Sequence, residues 1–234
     1  MIKQPIKRSA LNFNLIENGA SMIEQNGWSL ASSFGDIEAE VNSSKNSVAI
    51  TDVSNLSKFK IYSPKIDEVL LNTGGNLRIS EVRKEHFMKN SLGHSHTTAR
   101  LSINELWISS NTNNSFQEIK AAYIENDMNV ELFEMTSAYT GIRILGPDAP
   151  LLLSEFTDIN IGLNTFKDLT SAQSMFLQVY GLLIRADLSS LPTYDLFIDR
   201  SYGLYVWKAI MSLGLRYNAK LVGMECINEL ESNP

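Results

Sequence analysis

Residues able to do chemistry are scattered along this 234-residue chain rather than gathered in motifs. The histidines His86, His94 and His96 are the first place to look for a metal. Zinc asks for three or four Cys, His or carboxylate ligands at suitable spacing. In "GHSH" (93–96), His94 and His96 would share one face of an extended strand, but no third ligand accompanies them. The segment reads as a solvated loop, and no metal site is assigned. Nucleophilic catalysis has no better footing. There is no G-x-S-x-G elbow, and the single Cys226 has no adjacent base that the sequence reveals. "NTGGNL" (72–77) lacks the G-x-x-x-x-G-K spacing of a phosphate cradle and reads as a turn. Asp195, beside Tyr194 in "LSSLPTYDL", reads as the end of a loop and the start of a strand. Tyr202, Tyr205 and Trp207 read as core or interface aromatics on a helix. No catalytic residue is assigned.

Composition narrows the classes. With 44% hydrophobic and 20% charged residues the chain has an ordinary globular composition. A formal charge of −6 argues against nucleic acid, because neutralising phosphates takes clustered Lys and Arg. Lys3, Lys7 and Arg8 near the start are not followed by an apolar run, so a cleaved signal is not expected. No apolar stretch approaches the ~18 residues of a membrane span. One cysteine leaves no internal disulfide and fits a reducing cytoplasm.

The elements that would position any site are written twice. "KFKIYSPKIDEVLLN" (58–72) and "GIRILGPDAPLLLSE" (141–155) each give a β-rich run, Pro, an acidic residue and an aliphatic run. Aligning Pro64 with Pro147 also pairs Ser54 with Ser137, Lys60 with Arg143, Ile61 with Ile144 and Leu70 with Leu153. Alternation before each Pro predicts a half-buried strand. Each Pro then begins a helix, with Asp67 or Asp148 in the first turn where the dipole favours it. A second strand–helix pair follows in each half. "RLSINELWISS" (100–110) leads to 114–125, with Phe116, Ile119, Ala122 and Tyr123 on one face. "PTYDLFIDRS" (192–201) leads to 202–214, with Leu204, Trp207 and Met211 as the apolar stripe and Gly214 as a C′ stop. The reading is α+β, two pseudo-repeated split units of about 48–125 and 130–214 within one domain spanning 1–234. Coincidence of a common strand–Pro–helix solution is the competing explanation. Upstream, "LIENGASMIEQNGW" carries two Asn-Gly turn signals, and 32–54 reads as loop, short helix or extended stretch, then strand.

At this point the residues resemble a known family. "NSVAITDVSNLSKFKIYSPKIDEVLL", "ARLSINELWISSN" and "YDLFIDRSYGLYVWKAIMSLGLRYNAKLVGMECINELE" are similar to the folate-binding core of the aminomethyltransferases, the glycine-cleavage T-protein group. The second half, "ELFEMTSAYTGIRILGPDAPLLLSEFTDINIGLNTF" with "QVYGLLIR", is more similar still to the gamma subunit of heterotetrameric sarcosine oxidase. The resemblance implies the aminomethyltransferase folate-binding fold without the C-terminal barrel domain of the T-protein. It covers roughly residues 9 to 231.

The resemblance also marks three cleft candidates by what they replace. Ser95 falls about where the family carries an acidic residue that positions folate and the reacting amine. Leu191 matches a glutamate that binds the donor edge of the pterin. Glu225, with Glu229, stands where arginines meet the glutamate tail of folate. These departures imply a non-catalytic gamma-like subunit of a sarcosine-oxidase-type complex, which demethylates sarcosine oxidatively to glycine. FAD, FMN and NAD would then sit on partner subunits, with tetrahydrofolate in this chain left open. The alternatives are a stand-alone tetrahydrofolate-dependent aminomethyltransferase and a small-ligand-binding protein of the same fold.

Overall fold

The computed structural model describes residues 5–73, 75–87, 94–111, 115–124, 129–188 and 190–232. Helix α1 (Asn12–Glu17) precedes a hairpin of β1 (Ser21–Gln25) and β2 (Trp28–Ser33). Asn26 and Gly27 turn that hairpin with φ of 56° and 74°. Two positive φ values in a two-residue loop are what the twist of a hairpin demands, and Asn-Gly supplies them. Helix α2 (Ile37–Asn46) starts at Asp36, whose carboxylate accepts the Ala39 N–H at 3.1 Å. Then come β3 (Ala49–Asp52), β4 (Ser57–Tyr62), α3 (Ile66–Asn72), β5 (Val82–Phe87), β6 (His94–Arg100), β7 (Glu105–Ser110) and α4 (Ser115–Tyr123). The remainder is β8 (Glu131–Glu134), β9 (Tyr139–Leu145), α5 (Ala149–Ser154), β10 (Thr170–Phe176), β11 (Val179–Arg185) and β12 (Thr193–Asp199). Helix α6 (Gly203–Gly214), β13 (Lys220–Leu221) and α7 (Met224–Ser232) close the chain.

The strands form two larger sheets on one plan. One runs β5-β6-β7-β4-β8, the other β10-β11-β12-β9-β3-β13. Their pairs are antiparallel except for the parallel pair of β13 and β3. The two halves trade strands: β3, which precedes β4, pairs with β9, while β8, which precedes β9, pairs with β4. Separating the halves therefore breaks two strand ladders as well as the apolar contact between the sheets.

Alternation along the strands sorts the apolar side chains into separate cores. Ile50, Ile142, Ile144, Leu196 and Ile198 turn to one face of the larger sheet, against α5, α6 and α1. Phe59, Ile61, Leu106 and Ile108 meet α3 and α4, including Ile119 and Tyr123. The opposite faces of the two sheets meet each other through Val82, Ala99, Trp107, Leu182, Ile184 and Phe197. Burying a side chain of this size contributes roughly 1.5–3 kcal/mol.

Three details differ from the sequence reading. Pro64 and Pro147 precede their helices instead of opening them: α3 begins at Ile66, and in α5 it is Pro150 that occupies the first turn. The buried stripe of α6 is Gly203, Val206, Trp207, Ile210 and Gly214, while Leu204 is exposed. Gly214 is right-handed at φ −60°, and the left-handed residue is Asn218, at the end of the following 3-10 turn. Gly214 is small for another reason: a Cβ there would lie 2.8 Å from the Cβ of Ala219.

Candidate functional site

The two sheets leave a polar cleft at one end of their shared apolar interface. Ile142 and Ile144 of β9 face the helices, so Arg143 between them faces the other sheet. Asp195 of β12 stands directly opposite it in register. Arg143 Nε donates to Asp195 Oδ1 at 2.7 Å and Nη2 donates to Oδ2 at 2.8 Å. This is a bidentate charged fork, the strongest form of ion pair a protein builds. The two side chains are only 17% and 14% exposed. Burial works against the guanidinium charge, but Asp195, helped by Glu231, more than offsets it and raises the pKa of Arg143 above its ordinary value.

Two cavities, of about 190 and about 390 Å³, share Thr97, Arg143, Asp195 and Glu231 as walls. The smaller adds Asn55, Ser109 and Asn228; the larger adds His96, Lys84 and Asp187. Asp187 is also taken by a fork, from Arg185 Nε at 2.9 Å and Nη2 at 2.7 Å. Each cleft carboxylate carried on or beside a strand is thus matched by its own guanidinium. Glu231, near the end of α7, is exposed.

Beneath the cleft lies a buried cation. Lys58 Nζ donates to the carbonyls of Ser54 and Leu56, both at 2.8 Å, and of Thr136 at 3.4 Å, 5.8 Å from the centre of the Phe197 ring. Burial drives its pKa down to about 7, against the attraction of Asp52 and Asp195. Burial likewise raises the Asp52 carboxyl, partly countered by bonds from Ser54 and Ser9 and by Lys58.

The structure spreads the three cleft candidates apart. Ser95 pairs with His86 across β5 and β6, and its side chain lies outside the described residues, though its neighbours His96 and Thr97 line the cleft. Leu191 packs on an apolar cluster of Ala49, Leu145, Val222, Cys226, Ile227 and Leu230. Glu225 is exposed and accepts a hydrogen bond from the Ser32 hydroxyl of β2. Helical spacing explains the last placement: Met224, Ile227, Asn228 and Glu231 face the cleft, which turns Glu225 and Glu229 to another side of α7.

Other residues singled out in the sequence sort as follows. Among the described residues no group of three or more His, Cys, Asp or Glu could hold a metal ion. Of the aromatics, Trp207 is core, its indole Nε1 donating to Asn14 Oδ1 at 2.7 Å, while Tyr202 and Tyr205 lie on the surface. The Cys226 thiol is buried and pushed up to about 11 by that burial, with a 3.6 Å contact to the Ser44 hydroxyl.

Arg143, Glu231 and Lys58 are not among the candidates the sequence offers, and Asp195 reads there as a strand start in preference to a functional residue. The available signal was a charge inside each of two apolar strands, "GIRIL" and "YDLFI", and a second lysine on the Lys60 face of β4.

Comparison with known proteins agrees with this architecture. Aminomethyltransferase from Staphylococcus epidermidis is 24% identical over 67% of this chain and 45% of its own length. Sarcosine oxidase subunit alpha from Rhizobium meliloti is 23% identical over 97% of this chain and 25% of its own. The glycine cleavage system aminomethyltransferase T from Bartonella henselae superposes with a TM-score of 0.79 at 15% identity, over 97% of this chain and 62% of that one. A chain of heterotetrameric sarcosine oxidase from Corynebacterium gives a TM-score of 0.60 at 12% identity, over 79% and 93%. This chain therefore spans less than half the length of these two sequence relatives. The GCVT N-terminal domain matches residues 11–232, and the chain belongs to that family.

Proposed function

We propose that this chain is a non-catalytic, gamma-like subunit of a sarcosine-oxidase-type complex. The observation that carries the reading is the Arg143–Asp195 fork, which neutralises the carboxylate at the centre of the cleft through a hydrogen bond to each of its oxygens. A reacting amine or a pterin donor edge is best served by a buried carboxylate whose charge is not already paired, and the other carboxylate shared by the two cavities, Glu231, is exposed near the end of α7. A tetrahydrofolate held as the family resemblance implies would find its acceptor already bound to a guanidinium, and the apolar Leu191 where a glutamate is expected. The residues present do not fit that mode of binding, so no step is routed through folate.

Support for a subunit role comes from relatives of stated assembly. The Rhizobium protein is a sarcosine oxidase subunit, and the Corynebacterium oxidase is heterotetrameric. FAD, FMN and NAD would lie on partner chains, and this chain would stabilise the assembly in the cytoplasm. The second reading is a stand-alone tetrahydrofolate-dependent aminomethyltransferase, favoured by the similarity to the Staphylococcus enzyme and by the survival of a cleft. Calorimetric titration of the purified chain with tetrahydrofolate separates them. No binding, with co-purification alongside flavin-containing subunits, supports the first; micromolar binding overturns it in favour of the second.

A further inference from the structure

The Arg143–Asp195 fork leaves one arm of the guanidinium unspent. Nε and Nη2 hold Asp195, while Nη1 makes no hydrogen bond with the described residues. Nη1 is not one of the buried polar atoms left without a partner, so it is open to the cavities that Arg143 lines. Glu231 lines the same two cavities, and its carboxylate makes no hydrogen bond or ion pair among the described residues. Its charge is felt at Arg143 without the two groups touching. The larger cavity, of about 390 Å³, thus has a free cationic donor and a free anionic acceptor on its walls, with space between them.

The other charges of that cavity balance. Asp195 and Asp187 are each neutralised by a guanidinium fork, from Arg143 and from Arg185. Lys84 and Glu231 are left, one of each sign. Lys84 donates to the Asp187 carbonyl at 2.5 Å, a neutral acceptor that does not cancel its charge. A simple anion in this space meets Glu231, and a simple cation meets Lys84 and Arg143. A ligand that carries both charges satisfies both sides at once. Ala186 and Leu188 supply the apolar part of the wall. The geometry points to a binding site for a zwitterionic α-amino acid with a branched aliphatic side chain, of the size of valine or leucine. Its carboxylate accepts from Arg143 Nη1, its ammonium donates to Glu231, and its side chain lies on Ala186 and Leu188. This is a binding role and asks no catalysis of an exposed carboxylate. It goes beyond the subunit reading and does not rest on it.

The test titrates the full chain with L-leucine and L-valine at neutral pH and low salt, followed through the assigned Nε–H signal of Arg143 in ¹⁵N-edited spectra. The signal is expected to move and saturate with a dissociation constant of about 1 mM, as suits a ligand of this size. Isocaproate and isopentylamine keep the aliphatic body but each lacks one charge, and glycine keeps both charges without the side chain. Each should bind at least about tenfold more weakly than leucine. Glu231→Gln alters an exposed side chain with no internal bond and should weaken leucine about fivefold, the upper range for an exposed ion pair. Glu229→Gln makes the same charge change on another side of α7 and should leave the affinity as it was. An unmoved Arg143 signal at about 20 mM leucine, equal binding of isocaproate, isopentylamine or glycine, or unchanged affinity in Glu231→Gln would each overturn the proposal. The tetrahydrofolate titration is a separate measurement, so the subunit reading stands or falls apart from this one.

Discussion

Arg143 and Asp195 face each other across β9 and β12 and are joined by two hydrogen bonds of 2.7 and 2.8 Å in a site closed to most solvent. Such a pair costs much to break and little to replace. Removing one member leaves the other charged and unpaired, a penalty of about 3–5 kcal/mol, whereas exchanging both for apolar residues of similar volume is close to neutral. Arg143→Met is therefore expected to lower the urea midpoint strongly, and Arg143→Met with Asp195→Leu to recover most of the loss. If the double variant is as unstable as the single one, the fork is not what holds the carboxylate in place.

Gly214 makes a packing claim that a short series can check. An added methyl would meet the Ala219 Cβ at 2.8 Å, closer than carbon atoms pack. Gly214→Ala is expected to cost about 1–3 kcal/mol in spite of its better helix propensity. Adding Ala219→Gly should return much of it in the same denaturation assay. A neutral Gly214→Ala would mean that the 3-10 turn after α6 yields freely.

That glycine also shows what the sequence could and could not say. The strand–Pro–helix sentence written twice, the Asn26-Gly27 turn and the Ile119, Ala122 and Tyr123 face of α4 were legible, because each follows from local periodicity or turn chemistry. The stripe on α6 is rotated from the sequence reading, with Val206 and Ile210 joining Trp207 in the core, Met211 packed at its margin and Leu204 exposed, because several rotations of an almost wholly apolar helix satisfy the pattern. The exchange of β3 and β8 between the halves is invisible to periodicity, since it is a matter of which edge a strand joins. The cleft was hidden for the same reason. Arg143 and Asp195 lie far apart in sequence and acquire meaning only when β9 and β12 become neighbours.

Lys58 should leave a mark on the pH dependence of stability. Its folded pKa of about 7 lies below its ordinary value of 10.5. Between those values the unfolded chain binds the proton more readily than the folded one, so stability rises with pH as the folded lysine loses its charge. The slope approaches about 1.4 kcal/mol per pH unit for one proton. Burial sets this value, with Asp52 and Asp195 opposing the shift and Arg200 adding to it. Cys226, raised to about 11, works in the opposite sense once unfolded thiols ionise, so the clean window is pH 7 to about 8.5. The stability of the native sequence should rise across that window relative to Lys58→Met, measured by urea denaturation at each pH. Parallel profiles would show that the buried ammonium keeps its charge throughout.

Glu40 ties the last helix to the rest of the molecule, and Cys226 can report on the tie. The Glu40 carboxylate is 5% exposed and accepts the Phe34 N–H at 2.6 Å and the Gly223 N–H at 2.7 Å, fixing the chain just before α7. Cys226, in the first turn of that helix, is sealed beneath it and un-ionised at neutral pH, so an alkylating reagent must wait for α7 to lift. Glu40→Ala strands two backbone donors, a loss of about 1–3 kcal/mol. Modification of Cys226 by iodoacetamide at pH 8 is therefore expected to accelerate about tenfold or more. Glu40→Gln keeps one accepting oxygen and should fall between the two. Far-ultraviolet circular dichroism on the same samples distinguishes local lifting from global unfolding, because only the first leaves the spectrum intact while the thiol reacts. Equal labelling rates in all three proteins would show that the helix is held by its apolar face alone, through Ile227 and Leu230 against Ala49, Leu145 and Val222.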